Sequence, residues 1–221
     1  MLRPLFVMGT TKKSRPNSDT LNRRERYSVS MASFIALGNK EEAYRLMRHG
    51  IVREHLPRRM FSELFLHLSL FVGYPAMLDG LEELSRIHPK PAAAVGRLAR
   101  RPNAKREGLT LLERIYGKQT ERLLDHLHSL HPELVGLIVN DAYGRILSRS
   151  GLTLKERELI STAVLLIQGF RPQLYSHLRG ALRVGAHPDA LRATIERACA
   201  IAGIKSGEGL KMISEIVAAR N

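Results

Sequence analysis

Two residues of the C-terminal half, Glu158 and His177, have side chains that can transfer protons together. Glu158 lies in a stretch with helical spacing of apolar residues, 153–168, and His177 lies in the next such stretch, 172–184. A hairpin of two helices would bring the carboxylate to one ring nitrogen and leave the other nitrogen facing a pocket, as in an acid/base histidine. The same spacing surrounds His177 with apolar residues, so a buried structural histidine is the alternative interpretation.

Metal and thiol chemistry have little support in the sequence. His126, His128 and His131 are close in sequence, but residues i and i+2 of a helix face apart, and no cysteine completes a tetrahedral set. Cys199 is the only cysteine, so the chain can form neither an internal disulfide nor a two-cysteine redox centre. No phosphate loop or dinucleotide fingerprint occurs. We therefore expect no metal and no cofactor.

The elements that must position these residues are helices. Apolar residues recur at helical spacing from residue 21 onward, and no long alternating pattern of a strand appears. Pro57 marks a helix start, and Gly73 with Pro75 marks a break before a further helix at 76–87. After a Pro- and Arg-rich segment at 88–108 come short helices near 109–129. Five further helices are predicted, at 132–147, 153–168, 172–184, 188–201 and 206–219. The predicted fold class is all-α.

The chain resembles itself at a fixed spacing. Shifting it by 131 residues aligns nine identical pairs across residues 21–57, among them Gly38 with Gly169 and Tyr44 with Tyr175. A shift of 130 then pairs Gly73 with Gly203. We predict a duplicated helical unit with four parts: a flexible basic arm (1–20), a first repeat (21–87), a linker with short helices (88–130) and a second repeat (131–221).

The net charge of +14 is concentrated in three stretches, residues 1–26, 45–59 and 97–122. A solvated surface explains most of these charges, and non-specific binding of nucleic acid is the functional alternative. The N-terminal apolar stretch is too short for a signal peptide, and we expect no later run to approach a membrane span. With the lone cysteine, this predicts a cytoplasmic protein without membrane contact.

Four segments resemble the carboxymuconolactone decarboxylase family, which includes the alkylhydroperoxidase D-like proteins. In the second repeat they are LTLKERELISTAVLL (152–166) and HLRGALRVGA (177–186), preceded by HPELVGLIVNDAYGRILSRSGLT (131–153); in the first repeat the segment is FSELFLHLSLFVGYPAMLDGLEEL (61–84). The resemblance implies an all-helical, duplicated alkylhydroperoxidase D-like unit that assembles as a homotrimer or hexamer. It places the family's Glu at Glu158 and its His at His177.

The departures from the family pattern limit which activity can be expected. Phe170 and Gln173 stand where peroxidase-type members have two cysteines, so thiol-based peroxide reduction is chemically excluded at this site. Gln173 also replaces the acidic residue that decarboxylase members tend to carry four residues before the histidine. In the first repeat the matching positions are Tyr27, Asn39, Glu42 and Leu46, so that site has lost its histidine.

Two functions follow, and the enzyme assignment stays open between them. The first is a lyase-like enzyme for a small carboxylic acid or lactone, with His177 and Glu158 as the catalytic pair. Its substrate-binding residues would be Gln173, Arg157, Arg179 and Arg183, because guanidinium groups bind carboxylates. The second is a non-catalytic oligomeric scaffold whose basic segments recruit an anionic partner. On the first repeat, Glu63 and His67 lie four residues apart and are interpreted as a structural pair.

Overall fold

All the regular secondary structure in the described part of the chain is helical. The computed structural model describes residues 20–88 and 102–219, and these contain no strand. The helices in chain order are α1 (Arg23–Ala36), α2 (Lys40–Val52), α3 (Arg58–Ile87), α4 (Ala104–Tyr116), α5 (Thr120–Leu130), α6 (Leu134–Gly136), α7 (Leu154–Gln168), α8 (Arg171–Arg183), α9 (Pro188–Ala202) and α10 (Gly207–Ala218). The predicted all-α fold class is confirmed.

Helix α7 lies at the centre of the molecule. Every residue from Glu156 to Leu165 is buried, as expected for a helix that is covered on all sides. One core cluster joins α7 to α8, α9 and α10, and a second joins it to α1, α2 and α3. Glu158 is therefore carried by the most enclosed helix of the fold.

Helices α1 and α7 begin in the same way and contact each other reciprocally. Asn22 and Thr153, which are 131 residues apart, both form capping boxes, with Glu25 and Glu156 respectively. The Arg24 Nε atom lies 2.7 Å from Glu156 Oε1, and the Lys155 Nζ atom lies 2.8 Å from Glu25 Oε1. Each helix thus supplies a cation to the other helix's capping glutamate.

A second pair of contacts follows the same spacing. His67 Nε2 lies 3.1 Å from Ser161 Oγ, and Arg197 Nη1 donates to Ser30 Oγ at 3.0 Å. The two serines are 131 residues apart, and His67 and Arg197 are 130 apart. Two like units related by a two-fold axis would make such exchanged contacts. The duplication itself remains a prediction that these pairs support.

Helix α3 is one long element with a kink. At Gly73 the backbone has φ of +81°, which is outside the helical region, and this is where the sequence predicts a break. Within the described residues, only α3 is long and apolar enough to cross a membrane by length and composition. By length and composition, the expectation that no run approaches a membrane span is therefore wrong for α3. Phe61 and Leu64 in its first half nonetheless belong to the core.

The segment interpreted as a linker is largely structured. Residues 89–101 and the basic arm at 1–19 lie outside the described residues, but Ala104–Tyr116 and Thr120–Leu130 form helices. The lead-in expected to be one α-helix is α6 followed directly by a π-helix, Leu137–Leu147. Helix α4 packs on this π-helix, and the two share a third core cluster. Together they form a wall beside α8.

Candidate functional site

Glu158 and His177 meet between α7 and α8. His177 Nδ1 lies 2.9 Å from Glu158 Oε2, with side-chain exposures of 14% for the histidine and 1% for the glutamate. Gly180, one turn after His177, leaves room for this carboxylate: a Cβ atom there would lie 2.9 Å from Oε2. Because Nδ1 is occupied by the carboxylate, Nε2 is the ring nitrogen left for a ligand.

His177 lines a mainly apolar pocket of about 420 Å³. Its walls come from the first half of α3, from the end of α4, from α5, from the π-helix and from the start of α8. Phe71 packs edge-on to the His177 ring, with ring centroids 6.1 Å apart. Polar groups are few, and they belong to Tyr116, Tyr143, His126, Gln173, Ser176 and His177. The pocket has the apolar lining with scattered polar groups that is typical of small-molecule sites.

A tyrosine pair stands in the wall of this pocket. The hydroxyl oxygens of Tyr116 and Tyr143 are 2.9 Å apart. Burial, and next the negative charge of Glu158, raise the pKa of Tyr116 to about 12. Burial raises the pKa of Tyr143 still further, with Tyr116 and Glu158 as smaller causes. Both phenols therefore stay protonated at neutral pH.

A second pocket, of about 390 Å³, adjoins the first and is basic. Arg122, Arg179 and Arg183 line it, and no acidic residue is among the described residues of its wall. Tyr116, Leu123, His126 and Ser176 line both pockets. The structure thus brings Arg179 and Arg183 to the cavity next to His177.

Arg157 occupies a different environment from the one expected. Its side chain is fully buried, its Nη2 donates to the Arg149 carbonyl oxygen at 2.9 Å, and it lies 3.5 Å from Glu63 Oε2. Burial lowers the pKa of Arg157 to about 10. Arg157 is not among the residues that line the two pockets. Its surroundings are those of a structural ion pair, so the structure places it apart from Arg179 and Arg183.

The interpretation of Glu63 and His67 as a pair is wrong. Glu63 accepts two hydrogen bonds from the Arg149 guanidinium, each 2.8 Å long. His67 instead contacts Ser161, and its ring centroid lies 5.4 Å from that of Phe71. Each residue reaches a different segment because the nearest partner across a helix interface outcompetes the neighbour on the same helix.

The corresponding place in the first half holds a different pair. Tyr27, at the position that matches Glu158, lies with its hydroxyl 2.6 Å from His49 Nδ1. Leu46 stands at the position that matches His177. Among the described residues, no group of three His, Cys, Asp or Glu side chains is arranged to hold a metal ion.

Comparison with known proteins identifies the same region. The carboxymuconolactone decarboxylase family matches residues 134–206, a range that contains Glu158, Gln173 and His177. The 4-carboxymuconolactone decarboxylase of Acinetobacter baylyi is 29% identical over 113 residues, which cover 51% of this chain and 84% of that protein.

Two yeast proteins, both called peroxisomal protein 2, are also similar. The protein from Schizosaccharomyces pombe is 29% identical over 168 residues, or 72% of this chain and 77% of the relative. The protein from Saccharomyces cerevisiae is 32% identical over 87 residues, or 39% of this chain and 31% of the relative. The chain is thus similar to the carboxymuconolactone decarboxylase family over the segment that carries the Glu158–His177 site, and to these relatives over a larger part of its length.

Proposed function

We propose that the protein binds a small carboxylic acid or lactone in the two adjoining pockets and acts on it by proton transfer at His177. The observation that carries this proposal is the Glu158–His177 hydrogen bond, which orients a partly exposed imidazole in the wall of a pocket. A bound carboxylate would contact Arg179 and Arg183, with Arg122 as a third cation that the sequence did not single out. The name of the Acinetobacter baylyi relative is consistent with a lactone.

Each residue then has a defined task. Nδ1 of His177 is held by Glu158, so Nε2 takes a proton from the ligand or returns one to it. Glu158 fixes the orientation of the ring and stabilises the imidazolium that forms. Gln173 lines the pocket four residues before His177, where its amide can donate to or accept from the ligand.

Peroxide reduction by a thiol pair is not part of this proposal. Phe170 and Gln173 occupy the positions of the two cysteines, and neither side chain forms a thiolate. Cys199, the only cysteine, is buried in the core, and burial raises the pKa of its thiol. A lyase-type reaction that needs only acid/base groups is the better fit.

We also propose an intracellular location. A single buried thiol has no need of an oxidising compartment. The names of the yeast relatives point to the peroxisome, and the sequence analysis predicted the cytoplasm. Imaging of the tagged chain in its own cells distinguishes the two compartments.

The alternative function is a non-catalytic oligomeric scaffold with basic surface segments. The 1% exposure of Glu158 favours it, because a carboxylate sealed in the core can act purely as a structural partner of His177. In a scaffold, losing either partner would lower stability by roughly 1 to 3 kcal/mol without affecting any turnover.

The test uses His177→Gln and Glu158→Gln with two matched controls, His128→Gln and Glu121→Gln, at exposed positions on α5. Binding and turnover are measured with 4-carboxymuconolactone and a panel of small mono- and dicarboxylic acids, alongside melting temperatures. We expect His177→Gln to lower turnover by about 10² to 10⁴ with the fold intact, and Glu158→Gln to lower it less. Reduced stability of both variants, with wild-type rates or no turnover by the wild-type protein, favours the scaffold.

A further inference from the structure

We propose that Tyr116 and Tyr143 form a hydroxyl pair that donates a hydrogen bond to an oxygen atom of the bound ligand, and that the pair stabilises negative charge developing on that oxygen. This inference rests on the proposed function, because it concerns the same pocket. It adds two residues from the segment 102–147, which the sequence interpretation left without a chemical role.

The tyrosine pair has one more hydroxyl proton than its internal hydrogen bond uses. Two phenol groups carry two hydroxyl protons, and only one of them can lie between oxygens that are 2.9 Å apart. Among the described residues, no other hydrogen bond of either hydroxyl group is seen. Whichever tyrosine donates within the pair, the second proton is left for an acceptor in the pocket.

The tyrosine pair lies beside His177 and next to the basic pocket. Both tyrosines line the 420 Å³ pocket together with His177, and Tyr116 also lines the basic pocket. A ligand whose carboxylate binds Arg179 or Arg183 and whose body enters the apolar pocket passes Tyr116. Its reacting carbonyl group would then have a base and a hydrogen-bond donor in the same cavity.

The surroundings of the pair keep both phenols protonated. Burial among apolar residues and, to a smaller extent, the Glu158 carboxylate disfavour loss of a proton from either phenol, so both remain donors rather than bases. A neutral donor fixed in a water-poor cavity stabilises a developing oxyanion more strongly than water does. The hydroxyl group that accepts the hydrogen bond within the pair thereby becomes a stronger donor of its own proton to the ligand.

The two elements that carry the tyrosines are packed closely together, and a hydrogen-bond donor of this kind requires such a rigid support. Tyr116 ends α4, and Tyr143 lies in the π-helix. The two elements touch backbone to backbone: a Cβ atom on Gly108 would lie 2.0 Å from the Val139 carbonyl oxygen, and one on Gly144 would lie 2.1 Å from the Ala104 carbonyl oxygen. These close contacts hold the two rings in place before a ligand arrives.

In the proposed reaction, His177 Nε2 removes a proton from the carbon next to a ligand carbonyl. The electron pair of that C–H bond forms the C=C bond of an enolate, and the carbonyl π electrons move to its oxygen. The tyrosine pair donates its free proton as a hydrogen bond to this oxygen without transferring it. His177 then donates the proton to a different carbon of the conjugated enolate, which gives an isomer of the ligand, and no outside oxidant or reductant takes part.

The test measures binding rather than turnover, with substituted phenols as probes because a phenolate presents a charged oxygen on a small apolar body. Affinities for 4-nitrophenol and for weaker phenolic acids are compared in the wild-type protein, in both single Tyr→Phe variants and in the double variant. Tyr175→Phe, which removes a hydroxyl outside the two pockets, is the matched control. Absorbance reports the ionised fraction of bound 4-nitrophenol.

We expect the double variant to bind 4-nitrophenolate about tenfold more weakly or worse, and the ionised fraction of the bound phenol to fall. The single variant with the larger effect identifies the hydroxyl that contacts the ligand. Tyr175→Phe should bind as the wild-type protein does. Because the assay measures binding, its result does not depend on whether the protein turns over any ligand. Equal affinity of the wild-type protein and the double variant, or no phenol binding by the wild-type protein, overturns the proposal.

Discussion

His67 is a fully buried histidine whose ring connects α3 to α7 through Ser161. Its Nδ1 atom is buried and has no hydrogen-bond partner among the described residues. Burial lowers the pKa of His67 well below 6.5, and the nearby Arg157 and His177 lower it further. In the folded protein this ring therefore stays neutral at a pH where the unfolded chain would protonate it.

This difference predicts a loss of stability in mild acid. Below a pH of about 6.5 the unfolded chain binds a proton at His67 that the folded protein does not bind, so acid favours unfolding. Between pH 7 and pH 5 the free energy of unfolding should fall, by at most about 2 kcal/mol from this residue alone. Urea denaturation at several pH values measures the slope.

The matched variants are His67→Gln, which cannot titrate, and His128→Gln, which removes an exposed histidine of α5. We expect the pH dependence to become flatter in His67→Gln and to be retained in His128→Gln. The same slope in the His67 variant and the wild-type protein would show that another group controls acid stability.

At the scale of elements, the contact of α4 with the π-helix determines the shape of the site. The close approach at Gly108 and Gly144 leaves no room for a side chain at either position. Gly136, in α6, is a useful contrast, because the nearest atom to an added Cβ would be 3.9 Å away, on the Asn140 side chain. The same substitution should therefore have opposite effects at these positions.

We predict that Gly108→Ala lowers the free energy of unfolding by about 1 to 3 kcal/mol, since the added methyl group pushes the two elements apart. Gly136→Ala should be neutral or stabilise by about 0.5 to 1 kcal/mol, because alanine restricts the unfolded chain and suits a helix. Chemical denaturation of both variants tests this. Equal effects at the two positions would contradict the close contact.

The sequence located the helices of the second half within a residue or two because their limits are local. Thr153 caps α7, Pro188 begins α9, and left-handed glycines end α7 and α9. The π-helix was missed because an apolar pattern hardly separates a π-helix from an α-helix over three turns. The role of residues 102–130 was missed because it arises from packing between segments that are distant in sequence.

In the candidate site, too, contacts between residues close in sequence were predictable, and contacts between distant segments were not. The Glu158–His177 contact was predictable because a short hairpin joins their helices. The Tyr116–Tyr143 pair was not, since it depends on how α4 lies on the π-helix. Arg157 was misplaced because successive residues of a helix point about 100° apart, so the neighbour of Glu158 in sequence faces Glu63 instead.

At the scale of the whole molecule, large apolar side chains remain exposed at the candidate pocket and along α3. Leu70 on α3 and Leu130 on α5 line the 420 Å³ pocket and are 36% and 63% exposed. Tyr74 and Leu78, in the second half of α3, are 68% and 55% exposed. Exposed apolar side chains at a pocket, such as Leu70 and Leu130, are typical of an interaction surface.

We predict that a second copy of the chain covers this surface, and that the protein is a homotrimer or hexamer, as the family resemblance implies. Leu70→Lys with Leu130→Lys should reduce the assembled fraction, because two charged amines would be buried at the interface without partners. Val52→Lys on α2, at an exposed apolar residue away from the pocket, is the control and should leave assembly unchanged. Sedimentation equilibrium at micromolar concentration measures all three proteins, and a wild-type monomer under these conditions would rule the assembly out.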